Sequence, residues 1–592
     1  MSGSVGPHSV VEVTDANYAQ ELPRVLAAIR GADFVAVDGE FTGLFAGWET
    51  RPRRLDSVSR RYGRQVGSAR SFGVVQFGVA TFAWDGEGKT FQVDAWAFYT
   101  FPRTGSGGSA DALIQVQAES INFLGSHGFD FNKAFASGIG YLTPAQEAKA
   151  RKKADRAVER DPIVLNKPET VAKVAELMAA IEAWAQADEG EAEADGHDVA
   201  MFDTLPLSGF LRRVVHEQVA AKFGDALRTE SVHVEGEPDW KKFVRVLRTS
   251  PEEKAAAAAA RAAEREAEIH AAVGFRHVLD AISDSRAPLI AHNGSYDMIY
   301  TLSQFYGRLP GSVQEYKSVL SAKFPAIYDT KLIAESAPRI KPLVTSTALE
   351  ALADQLDDLC KQSTQAPAFV PGPRASTMPA PEGSLPSYHD AGYDALVTGM
   401  AFARITSILE EDDNQDSDSG FAGLMAGVAD FKGKINLGRC IVPYLDLNGP
   451  FEPVPDNVFK LAGFSSSTKT KHIRAAVSPH SISAFQWEND SSILVAITPA
   501  KGSSLMDAVR HLYTAPSVPF TVVEHVNLGQ SQDFVSIFNP SSSSSSSSSR
   551  KRKREGEGEG EGEGGRDAKV SKPLSSTSSS SSSSSSSGCV LM

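Results

Sequence analysis

Four carboxylates and one histidine stand out for where they fall along the chain. Asp38-Gly-Glu40 follows the buried-type strand run FVAV (Phe34–Val37). Alternation along an extended backbone puts both acids on one face, where like charges repel unless a cation neutralises them. Asp297 falls in the first turns of a helix after a short strand, in LIAHNGSYDMIY, and His389 and Asp394 lie five residues apart in YHDAGYDALVTG. Hard oxygen donors of this kind suit Mg2+ or Mn2+. Cys360, Cys440 and Cys589 are too scattered to form a competing thiolate site. Two such ions held about 4 Å apart can activate a water and stabilise the leaving oxygen of a phosphodiester. The chemistry open to this set is therefore metal-assisted hydrolysis.

Such residues need a scaffold that brings them together, and the surrounding pattern supplies one. Asp15 or Asn17 can cap a helix over NYAQELPRVLAAIRG, which Gly31 ends before the strand that carries Asp38. SFGVVQFGVATFAW (Ser71–Trp84) and FQVDAWAF (Phe91–Phe98), parted by DGEGK, read as a hairpin. From Ala148 the pattern turns helical, with Glu169–Glu189 amphipathic; a compact stretch follows at 205–250, then a long, mostly exposed helix at 251–272. Helix and strand alternate again from Val273. The expectation is an α/β domain made of 10–149 and 273–408, with 150–272 inserted. Residues 363–386 read as a surface loop. A module over 440–530 has the order βαββαβ, and 541–592, rich in serine repeats, should form a disordered tail.

Composition narrows the class. The 592 residues carry 59 Lys+Arg and 73 Asp+Glu, a net charge of −14, with 42% hydrophobic residues and 3 cysteines. That hydrophobic share can fill several cores, and so few cysteines exclude a disulfide scaffold and point to a reducing compartment. No secretory leader or membrane-spanning run is expected. The acids are concentrated: six in Asp188–Asp198, six in Glu410–Asp418 and five in Glu555–Glu563, none interleaved with Lys or Arg. Those 17 exceed the net −14, so the rest of the chain sits near +3 and a nucleic-acid partner is not excluded.

The stretches ADFVAVDGEFTGL (32–44), VVQFGVATF (74–82), SINFLGSHGFDFNKAFASGIGYL (120–142), GFLRR (209–213), AHNGSYD (291–297), FPAIYDTKLIAES (324–336), HDAGYDALVTG (389–399) and VPYLDLNGP (442–450) follow one another along the chain. Together they resemble the DEDDh-type 3′-exonucleases and, within them, the poly(A)-specific ribonuclease (deadenylase) family. The likeness implies a ribonuclease H-like exonuclease domain, an inserted small α+β single-strand nucleic-acid-binding domain and a C-terminal RNA-recognition-motif-like domain. By the same resemblance Asp38, Glu40, Asp297 and Asp394 hold two Mg2+ ions, Mn2+ being an alternative, and His389 takes the proton of the attacking water. Phe41 would wedge against the terminal base and Lys331 would meet a phosphate or adenine, with core packing and a solvated helix start as the plain alternatives. Arg212 and His216 form the Arg-x-x-x-His pair of the inserted domain. Trp487 stands where the family carries a tryptophan that stacks on the mRNA 5′ cap, the alternative being a core or dimer aromatic.

The expected reaction is removal of poly(A) from single-stranded RNA 3′ ends with release of 5′-AMP, by a homodimer. A trimmer of small non-coding RNA 3′ ends is the alternative, and a non-catalytic RNA-binding scaffold a third reading. The RKRKR run (550–554) fits a nuclear-import signal or a solvated charge run, so nucleus and cytoplasm are the expected locations. The ending Cys589-Val-Leu-Met592 satisfies the C-a-a-X pattern for farnesylation, which would give a membrane contact.

Overall fold

The computed structural model describes residues 10–525, apart from 86–88, 104–111, 159–164, 166, 187–198, 204–208, 225, 235, 237–241, 250, 363–365, 374–387, 411–419, 450–456, 464–466 and 515–520. The acidic runs at 188–198 and 411–418, the serine tail, RKRKR and Cys589 lie outside the described residues. Two compact units divide at Pro453 and Val454.

The first unit is built on a nine-stranded mixed sheet. Its strands are β1 (Val10–Val13), β2 (Phe34–Phe41), β3 (Val74–Asp85) and β4 (Thr90–Tyr99); then, after β5 (Val199–Asp203), β6 (Leu227–Val232) and β7 (Phe243–Arg248) of a separate small sheet, β8 (Leu289–Ala291), β9 (Ile327–Asp329), β10 (Ala368–Pro371), β11 (Lys434–Asn436) and β12 (Tyr444–Asp446). The order is β1-β4-β3-β2-β8-β9-β11-β12, with β10 also on β4. β2 pairs antiparallel with β3 on one side and parallel with β8 on the other, and so lies mid-sheet. Two partners extend β2 to Phe41, past the Val37 at which its apolar run stops.

Each sheet face has its own core. Phe34, Ala36, Ala80 and Phe82 point toward the Ala391–Glu410 helix. Val35, Val37, Phe77 and Val79 point toward the Val58–Ala69 and Ser295–Thr301 helices. Phe34 stacks on Phe82 at 4.6 Å and meets Phe402 edge-on at 5.3 Å, which locks the long helix to the strands. That helix is apolar nearly all round and buried accordingly.

Two expectations are corrected here. Residues 368–371, inside the stretch read as a loop, form β10 against Thr90–Val93, because β4 still has backbone groups to pair beyond the end of β1. The sheet also continues past residue 408: β11 pairs with β9 and β12 with β11, so residues 444–446, assigned to the C-terminal module, belong to the first unit.

Within the insertion, β5, β7 and β6 form a three-stranded antiparallel sheet with its own core, including Ile181, Val215 and Val244. The second unit runs β13 (Val458–Ala462), a helix Thr470–Val477, β14 (Ser481–Asn489), β15 (Ser492–Thr498), a helix Leu505–Thr514 and β16 (Thr521–His525), in sheet order β14-β15-β13-β16. Among the described residues no helix is long and apolar enough to cross a membrane.

Candidate active site

Asp38 and Glu40 extend the row Phe34, Ala36 along β2, on the face covered by the Ala391–Glu410 helix. Across the ladder Asp38 is opposite Gly78 and Glu40 opposite Gln76. Gln76 is fully buried and clamps the start of the long helix, donating to Asp390 Oδ2 at 2.7 Å and accepting from the Ala391 N–H at 3.0 Å. Asp390 caps that helix, accepting from Gly392 and Tyr393 N–H at 3.1 Å each. Gly78 makes the approach feasible: a Cβ there would sit 1.7 Å from the Ala391 carbonyl oxygen.

Asp297 reaches the same place from the other face of the sheet. It follows β8 in the first turn of the Ser295–Thr301 helix, and a Cβ on Gly39 would lie 3.1 Å from its Oδ1. The glycine between the two strand acids is the notch that admits the third. β9 ends beside it on Asp329, whose buried carboxylate accepts from the N–H groups of Asn293, Gly294, Lys331, Leu332 and Asn436. That acid is satisfied by backbone and orients the loop that leads to Asp297.

Asp394 lies one turn into the long helix and accepts the His389 N–H on Oδ2 at 3.1 Å. His389 has a φ of +73°, uncommon for a residue with a side chain. This N–H contact and the Asp390 cap hold that conformation. Its ring packs edge-on against Phe123 at 4.6 Å and His127 at 4.2 Å, at the end of the Ala118–Ser126 helix.

Glu40, Asp297 and Asp394 are buried, while Asp38 is partly exposed. Burial, reinforced by the neighbouring acids, holds Asp38 and Glu40 well above the usual carboxylate range. Burial also pushes Asp297 and Asp394 up to about 7. Burial lowers His389, helped by His127. Among the described residues, Glu40 Oε1 and Asp394 Oδ1 find no hydrogen-bond donor. Glu40, His389 and Asp394 each offer an atom within 4.8 Å of the other two. Buried acceptors that lack donors and cannot ionise together are a donor set that a divalent cation completes, so the residues fit one. Asp38 and Asp297 stand outside that tightest group, although Asp38 feels the charges of Asp297, Asp394 and Glu40.

The profile of the CAF1 family ribonucleases matches residues 13–402, a span that contains all five of these residues. The poly(A)-specific ribonuclease PARN of Danio rerio is 31% identical over 512 residues, covering 82% of this chain and 73% of that protein. This chain belongs to the CAF1 ribonucleases, in the poly(A)-specific ribonuclease family. The Homo sapiens member is 28% identical over 509 residues, covering 82% of this chain and 76% of its own length. A pre-piRNA 3′-exonuclease trimmer of Bombyx mori is 24% identical over 443 residues, covering 74% and 79%.

The remaining candidates of this family member fall in separate places. Phe41 ends β2 beside the acids, its ring 4.5 Å from that of Tyr300 and its edge against Gly39. Lys331 lies in the first turn of the Thr330–Ser336 helix, which Asp329 caps. Arg212 and His216 are one turn apart on the Gly209–Phe223 helix of the insertion, partly buried. His216 bonds Ser231 at 2.9 Å, and burial, with Arg212, lowers its pKa. Trp487 on β14 is opposite Ile493 of β15 and, partly buried, packs against the core of the second unit. Sequence reasoning missed Gln76, Gly78, Asp390 and the Phe123–His127 pair. Gln76 did leave a trace, as the one strongly polar residue in VVQFGVATF.

Proposed function

We propose that this chain is a divalent-metal-dependent 3′→5′ exoribonuclease that shortens poly(A) at RNA 3′ ends and releases 5′-AMP. The observation that carries the reading is the buried carboxylate cluster at the end of β2, with acceptor oxygens that find no donor among the described residues, beside a histidine held by its own backbone. Asp38, Glu40, Asp297 and Asp394 would hold the ions, two of Mg2+ or Mn2+. When bound, such ions lower the pKa of a water and neutralise charge on the departing oxygen.

The chain's own groups do the rest. Burial and the neighbouring His127 keep the His389 imidazole neutral, so it can accept the proton of the attacking water. Its clamp between Phe123 and His127 fixes the ring's direction. As the water oxygen bonds to phosphorus, the bond to the 3′ oxygen of the preceding nucleotide breaks, and that oxygen takes a proton. Phe41, its ring against that of Tyr300, would meet the terminal base, and Lys331, in the first turn of its helix, a phosphate. Arg212 and His216 extend contact with the single strand in the insertion. The second unit's βαββαβ order suits an RNA-recognition-motif-like domain.

Digestion of 5′-labelled oligo(A), oligo(U) and oligo(C) with Mg2+, beside an Asp38→Ala variant and a chelator, tests the reading. Stepwise shortening of oligo(A) alone, lost in both controls, is the expected result. Equal shortening of all three would replace the deadenylase with a general 3′-end trimmer, and shortening that survives the chelator would overturn the metal assignment.

A further inference from the structure

The segment just beyond the strand acids, 45–64, holds six arginines and only two acids, Glu49 and Asp56. Asp56 is fully buried and outside the carboxylate cluster. Its carboxylate accepts the Arg53 N–H at 2.7 Å and the Arg64 Nε–H at 3.1 Å, and pairs with buried Arg61 at 3.9 Å. The loop is fastened again from outside: the Ile441 N–H donates to the Arg54 carbonyl at 2.8 Å and the Cys440 thiol to the Asp56 carbonyl at 3.3 Å. So much buried polar bonding spent on a surface loop fixes its shape in advance.

What the loop displays is aromatic and basic. The Trp48 indole is 65% exposed, with the Arg53 guanidinium 4.0 Å above its ring. Arg51 lies 5.6 Å over Phe45, and Arg54 is exposed. Phe45 meets Tyr296 edge-on at 6.3 Å, and Tyr296 is the residue before Asp297. An open indole backed by a guanidinium, on a preset basic loop that leads by ring contacts to the acid cluster, matches the needs of a single strand. Every base has a face that can stack, and each phosphate attracts an arginine.

We propose that Trp48, Arg51 and Arg54 form a docking surface for the RNA strand upstream of the 3′ end, Trp48 stacking a base and the arginines holding phosphates. This rests on the exoribonuclease reading above. It gives the enzyme a reason to favour a long single strand over a short one, independent of the insertion and of the second unit.

Binding of fluorescein-labelled oligo(A) of about twenty nucleotides to the full chain, in chelator so that no turnover occurs, tests it. Trp48→Ala should weaken binding about tenfold and reduce nucleotide-induced quenching of tryptophan emission. The double variant R51E/R54E should weaken binding at least as much and flatten the salt dependence by about 1.4 in log–log slope. Trp48 and Arg54 are exposed, so neither change opens a cavity. Lys361→Glu serves as the charge control, since Lys361 caps a helix whose core lies on the opposite face of the sheet. Binding by both variants within about twofold of wild type, while wild type still shortens oligo(A), would overturn the docking surface and leave the function standing. A wild type that neither binds nor shortens oligo(A) would overturn the reading beneath it.

Discussion

Replacing Asp394 with Asn should stabilise the metal-free protein at alkaline pH while abolishing activity. Asp394 is 2% exposed, its Oδ1 has no donor among the described residues, and burial, with Asp390 and Glu350 nearby, pushes its carboxyl from 3.8 up to about 7. Below the unfolded value both states hold the proton and nothing is lost. As pH rises from 3.8 toward 7, only the unfolded chain gains by ionising, so folded stability falls across that window and stays low above it. About three units correspond to a ceiling of about 4 kcal/mol. Asn keeps the shape and still accepts the His389 N–H but cannot ionise, and it also relieves Glu40, whose strongest charged neighbour is Asp394. In chelator at about pH 8 the variant should gain about 2–4 kcal/mol, and less than half of that at about pH 5. Chemical unfolding of both proteins at the two pH values measures it, and added Mg2+ should reverse the ranking, because under the proposed function only the wild type offers the Asp394 carboxylate as a ligand. A variant no more stable than wild type at the higher pH, or a gain of equal size at both, would refute the claim that uncompensated carboxylate burial governs this site.

Two further changes test its framework. Gly78→Ala would place a methyl group 1.7 Å from the Ala391 carbonyl oxygen and 2.7 Å from the Gly392 nitrogen, forcing the helix that carries Asp394 outward. A shift of about 1 Å should cost about a hundredfold in kcat/KM, and a loss of under about threefold would show that the approach is not needed. His389→Ala should lower kcat by about 10²–10⁴. At sub-saturating Mg2+ it should leave the acid limb of the pH profile in place, because Asp297 and Asp394, at about 7, lose their protons there, whereas burial holds His389 below 6.5. An acid limb that vanishes with the histidine would sink that assignment.

Much of the site was legible because its residues obey local periods. Asp38 and Glu40 share a face through the two-residue period of a strand, and Asp394 sits one turn into a helix that His389 precedes. The small β10 in a Pro- and Gly-bearing stretch was not legible, nor were β11 and β12, which complete the sheet after the apparent end of the domain. These strands are three or four residues long and exist only because distant strands offer unpaired backbone. Trp487 was equally open on sequence grounds, and only strand register puts it opposite Ile493 against the core.

The sequence by itself determined which side chains could carry chemistry, their spacing within each segment and the α/β class, since these follow from residue type and from periods of two and 3.6. Tertiary structure decided everything that joins one segment to another. Gly39 admits Asp297 from across the sheet, Gly78 and Gln76 seat the helix of Asp394, Phe123 and His127 set the direction of His389, and Asp56 fixes the loop of Trp48. The reason is physical: a notch, a clamp or a buried charge is defined by atoms far apart along the chain, and only packing brings them within reach of each other.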